Sequence, residues 1–155
     1  MPANNRLAAS AFMLLVAATP PALANWDETQ WGMSPEDALA ALDGATSHAP
    51  DASEIYEDND QKYAPLVKLS RPIEGIDGQV SLLFDGSDKL HFVLFNPDDI
   101  ADCDALGAAL SQRYGEAETT GADGLAISSW VGDDDAVKLT NFPAAKICNL
   151  SYSAI

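Results

Sequence analysis

A chain of 155 residues with 24 acidic side chains against eight lysines and arginines, formal charge −16, has the length for one hydrophobic core. Its acidity excludes nucleic acid and anionic lipid surfaces as natural partners and favours solubility or a cationic partner. An apolar content of 47% is that of an ordinary folded chain and excludes wholesale disorder.

In chain order, the first signal is a leader. Arg6 alone forms a short basic region, and Leu7 to Ala18 is small and apolar apart from Ser10. Thr19, Pro20 and Pro21 stop the run, and Ala22-Leu23-Ala24 places small residues where a signal peptidase reads them. Residues 1–24 are therefore expected to be a signal peptide, cleaved before Asn25, and residues 25–155 a single α+β domain in the periplasm or outside the cell. The apolar run of about 12 residues falls short of the roughly 20 that a membrane span needs. With no cysteine at the cleavage site, no lipid anchor is expected. Removing the leader takes away one cation and no acid, so the remaining 131 residues carry −17.

Ser34-Pro35-Glu36-Asp37 has the grammar of a helix start: an N-cap, a proline in the first turn and an acid three residues after the cap. Ala38, Leu39, Ala41 and Leu42 follow, and Gly44 can end the helix. Residues 45–62, with five carboxylates and little apolar content, read as a long loop, functional or mobile, or as a hidden element. Leu66 to Ser70 is a short strand bounded by Pro65 and Pro72. Gln79–Phe84 and Lys89–Phe95 flank the turn sequence Asp85-Gly86-Ser87-Asp88 and predict a hairpin. Asn96-Pro97-Asp98-Asp99 repeats the helix-start grammar. Ile100, Cys103, Leu106, Leu110 and Tyr114 then recur at helical spacing up to Gly115. Ala126–Val131 and Ala136–Phe142 predict a second hairpin, and Ile147–Ser153 a last strand with Cys148, Leu150 and Tyr152 on one face. The expected architecture is one antiparallel sheet of about six strands with two helices on one face. Its order of a helix and then a meander, twice over, suggests a duplication.

Cys103 and Cys148, an even pair in an exported chain and both facing inward, are expected to form a disulfide. No C-x-x-C, glycine-rich phosphate loop, G-x-S-x-G or H-E-x-x-H motif occurs, so no catalytic residue, metal site or cofactor is assigned and the reading leans away from an enzyme. Asp58-Asn59-Asp60 and Asp133-Asp134-Asp135 are oxygen-rich, but neither has the spacing of a calcium loop. The hairpin is apolar on both sides. If Val80, Leu82, Phe84, Leu90, Phe92 and Leu94 pack beneath the helices, Leu83, Val93 and Phe95 lie on the other face with His91. That face, together with Trp26 and Trp31, is the candidate interaction surface, to be covered either by residues 45–62 or by a partner.

The stretch W-D-E-T-Q-W-G-M-S-P-E-D (Trp26–Asp37), the hairpin from Val80, the helix end Leu106, Leu110, Tyr114, Gly115 and the late Trp130 resemble small exported proteins of Gram-negative bacteria. They are similar to the SmpA/OmlA-like and β-lactamase-inhibitor-like group. That resemblance implies helices on one face of an antiparallel sheet and protein–protein contact more often than catalysis. The better-known SmpA/OmlA members are lipoproteins, whose lipidation cysteine this chain lacks. The functional expectation is an exported, non-enzymatic interaction or envelope-accessory module. The alternative is a small ligand- or divalent-cation-binding protein, or a hydrolase, using residues 45–62.

Overall fold

The computed structural model describes residues 26–155. The expected leader, residues 1–24, lies outside them. Ser34 caps α1 (Pro35–Ala41) by accepting the Asp37 N–H at 3.2 Å, and Ala38 and, just past its end, Leu42 sink into the core. Then follow β1 (Thr46–Ser47), a 3₁₀ turn at Ala52–Glu54, β2 (Tyr56–Asp58), β3 (Gln61–Ser70), β4 (Gly78–Phe84) and β5 (Leu90–Pro97). The second half holds α2 (Cys103–Tyr114), β6 (Glu118–Thr120), β7 (Ala126–Val131), β8 (Asp135–Phe142) and β9 (Ile147–Ala154).

The strands form one antiparallel sheet in the order β1-β3-β4-β5-β9-β8-β7-β6, with β2 paired to β3 beside this path. Nine strands, not about six, make the protein richer in sheet than the sequence suggests. The unanticipated strands are short and polar: β1, β2 and β6 hold two or three residues each, and β6 is exposed throughout. Such strands lack the alternating apolar pattern that marks a half-buried strand and are stabilised by their neighbours. Residues 45–62 supply β1, the 3₁₀ turn, β2 and the start of β3. Asn59 and Asp60, both with φ near +60°, form the two-residue turn between β2 and β3.

The start of α2 also differs from expectation. Asn96 and Pro97 continue β5 opposite Gln79 and Gly78, and the Asn149 amide donates to Asn96 Oδ1 at 3.0 Å. Sheet pairing thus takes the segment that local grammar assigns to a cap. The cap moves to Asp99, which accepts the Ala101 N–H at 2.9 Å ahead of a 3₁₀ turn, Ile100–Asp102. Cys103, Leu106 and Leu110 are the buried face of α2.

One core lies between the helices and the sheet. Here a phase shift corrects the sequence expectation. Leu83 pairs with Phe92 but Phe84 pairs with Leu90, so His91 is an extra residue on β5. This bulge leaves Leu90 facing the helices and flips the alternation beyond it. Val93 and Phe95, expected on the far face, are fully buried in the helix-side core, and Phe92 and Leu94 point the other way with Leu83. Trp26 is also a core residue, its ring 6.4 Å from that of Tyr152. Cys103 and Cys148 form a disulfide with Cα atoms 5.9 Å apart, tying the first turn of α2 to β9.

Candidate functional site

The molecule offers two surfaces of functional interest, one on each side of the sheet. On the side away from the helices, a cross-strand row runs through Lys68, Ser81, Leu94, Ser151, Lys138 and Ser129. Neither α1 nor α2 covers it. Carboxylates are sparse on it: β3, β4, β5, β7 and β9 contain none and β8 only Asp135 at its first residue, but Glu54 reaches Lys68 at one end of the row and Glu118 of β6 lies opposite Ser129 at the other. A chain of charge −16 therefore presents a sheet face whose middle is small hydroxyls, Lys138 and a half-buried leucine, with Lys68 paired to Glu54 at one end and Glu118 at the other. The physical cause is local. Acidic side chains have low strand propensity and here concentrate in turns and helix starts, where they cap or meet the helix dipole.

One end of this face is covered by the chain itself. Tyr56 and Tyr63, from the hairpin of β2 and β3, pack on Phe92 with ring centroids at 5.4 and 4.9 Å and roof the buried Leu83. Of the six residues proposed from sequence for this surface, Leu83 lies beneath that roof and His91 is exposed at its edge, 5.3 Å from Tyr63. Val93, Phe95 and Trp26 are core residues facing the helices. Trp31 is half-buried on the helix side, its indole donating to Asp135 Oδ1 at 3.0 Å.

The two histidines each meet one carboxylate. His91 Nε2 lies 3.0 Å from Asp85 Oδ2. Burial opposes ionisation of Asp85, but the N–H groups of Lys89 and Ser87 and the His91 contact outweigh it and hold the carboxyl below its usual range. His48 Nε2 lies 2.9 Å from Glu54, which also accepts from Lys68 Nζ at 2.6 Å and from the Asp51 N–H at 2.9 Å. The Lys68 hydrogen bond, then the Asp51 and His48 contacts, draw the Glu54 carboxyl down to about 2. Among the described residues, no three carboxylate, thiol or imidazole groups converge as a metal site requires.

Glu54 thus pins the acidic segment to the sheet, and its ionised form is the one the fold favours. Its contribution is complete above the ordinary value of 4.5 and is lost as pH falls from there through about 2. Glu54→Gln is expected to speed amide hydrogen exchange across residues 46–58 at neutral pH and to remove the change that the wild type shows there between pH 4.5 and 2. Exchange measured by NMR at both pH values checks this.

The second surface is a groove of 690 Å³ on the helix side. α1 packs over β1 and β3, and α2 over β7 and β8 with its first turn tied to β9 by the disulfide; the groove lies between the two helices. Residues 26–33 and 71–76 fill part of the gap. Tyr152 is on the floor, Trp26, Asp27, Glu28 and Arg71 form one wall, and Glu74, Arg113, Tyr114 and Asp135 form the other. Both arginines of residues 26–155 are here. Arg71 pairs with Asp27 and with Glu28 at 3.1 Å, and Arg113 with Glu74 at 2.7 Å, its guanidinium 5.3 Å above the Tyr114 ring. Burial raises the Asp135 carboxyl above its usual range, with the Trp31 hydrogen bond opposing. Burial also pushes the Tyr152 hydroxyl far above the usual tyrosine value, so it keeps its proton. Sequence reading missed this groove because its residues come from five separate stretches. The available signal was the rarity of arginine.

No family model, curated protein or solved structure matches this chain. No helix among the described residues is long and apolar enough to cross a membrane.

Proposed function

We propose that this protein is an exported, non-enzymatic interaction or envelope-accessory module that receives a protein partner on the uncovered face of its sheet. The observation that carries the reading is the scarcity of carboxylates on the middle of that face, between Glu54 at one end and Glu118 at the other, in so acidic a chain. Here a partner meets hydroxyls, the Lys138 ammonium, Lys68 paired with Glu54, and the Leu94 side chain, a surface suited to hydrogen bonding and close packing. The disulfide supports export, since such bonds persist in oxidising compartments, and the leader-like N-terminus points the same way. The resemblance to the SmpA/OmlA-like and β-lactamase-inhibitor-like group also favours protein contact over catalysis. Each histidine faces a single carboxylate, and neither histidine lines the groove.

The test replaces Leu94 at the centre of the face. Immobilised wild type and Leu94→Arg are exposed to the same envelope extract, and their melting is measured on the same preparations. A partner retained by the wild type should be lost by the variant, with stability changed by about 1 kcal/mol or less. Equal retention by both would place binding elsewhere.

A further inference from the structure

We propose that the groove over Tyr152 is a binding site for an ammonium group, carried by a small amine or by a lysine side chain of another polypeptide. It lies on the opposite side of the sheet from the face assigned above and stands independently of that reading.

Three observations lead there. First, Asp135 is, among the described residues, the one carboxylate lining the groove that makes no ion pair, Arg113 acting on it only from beyond contact distance. Asp27, Glu28 and Glu74 are taken up by the two arginines, while Asp135 accepts only the Trp31 indole N–H. Second, Tyr152 is 4% exposed, yet its hydroxyl has no hydrogen-bond partner among the described residues. The residue lines the groove. A buried tyrosine ordinarily finds a partner for its hydroxyl, and a ligand N–H would supply one. Third, the groove has aromatic walls, and the Tyr114 ring already holds one cation on its face.

The sign of the ligand follows from the same contacts. An anion would have to displace Glu74 from Arg113 or Asp27 and Glu28 from Arg71. An ammonium leaves both ion pairs in place, meets Asp135 and Tyr152 on the paired strands β8 and β9, and is drawn in by the net charge.

The experiment titrates the purified protein with three probes and follows backbone amide shifts by NMR. The probes are 1,5-diaminopentane, N-acetyl-lysine methylamide and the uncharged N-acetyl-norleucine methylamide. At least one amine should give saturable shifts centred on Trp26, Asp135 and Tyr152, and the norleucine derivative none. Tighter binding of the lysine derivative identifies a polypeptide side chain as the source, and tighter binding of the diamine a free amine. Asp135→Asn preserves shape and the Trp31 hydrogen bond, and should weaken binding about tenfold or more. Tyr152→Phe should weaken it severalfold. Shifts spread evenly over surface carboxylates, saturation by the norleucine derivative, undiminished binding by Asp135→Asn, or no saturable shift with either amine would overturn the proposal.

Discussion

Phe95→Asp is expected to unfold the protein. Phe95 is completely buried in the helix-side core, opposite Val80 on β4 and Leu150 on β9. Its ring lies against Gly78, where a Cβ would collide with it and with the Asn96 carbonyl, so the sheet and the ring are fitted to each other. Truncating a buried phenylalanine costs about 3–5 kcal/mol, and leaving an unpaired carboxylate in the cavity adds several more. The sum approaches or exceeds the whole stability of a typical domain, about 5–15 kcal/mol. The near-ultraviolet circular dichroism of the native state should be absent at 25 °C. Leu94→Arg, one residue away on the open face, should melt within a few degrees of wild type. A folded Phe95→Asp variant would contradict the register of β5.

That pair of variants also marks where the sequence stops being legible. The helix at Pro35–Ala41 is readable because its cap is local: Ser34, Pro35 and Asp37 interact within one turn. The strands flanking the two hairpins are readable from β-branched and aromatic runs between turns. The bulge at His91 is not, because nothing local says which residue of a strand is left unpaired. One unpaired residue is enough to exchange Val93 and Phe95 for Phe92 and Leu94, and with them the candidate surface. The same holds for Asn96-Pro97, whose cap grammar is sound but loses to pairing with β4. The short strands β1, β2 and β6 are polar and take their conformation from their neighbours. The groove is the furthest from sequence: Trp26, Arg71, Arg113, Asp135 and Tyr152 share no spacing and come together only in the folded chain.

Breaking the disulfide should have the second largest effect. Cys103 and Cys148 are separated by 45 positions, and closing a loop of that length stabilises by roughly 4 kcal/mol on the chain-entropy model. The bond joins the first turn of α2 to β9, which lies between β5 and β8 and so connects the two halves of the sheet. Cys148→Ala leaves the Cys103 thiol as a small apolar side chain at a site 2% exposed, where it packs without needing a partner. The expected loss of about 2–5 kcal/mol is therefore that of the cross-link rather than of packing. Denaturant unfolding should give the same lowered midpoint for Cys148→Ala, for the double alanine variant, and for wild type held under reductant. The native protein, denatured without reductant, should show no reactive thiol. Two reactive thiols in that assay, or a wild-type midpoint insensitive to reductant, would mean that the bridge contributes nothing to the fold. In that case α2 would be held to the sheet by Leu106, Leu110 and the hydrogen bonds from Asn141 to Asp104 and from Trp130 to Gly115.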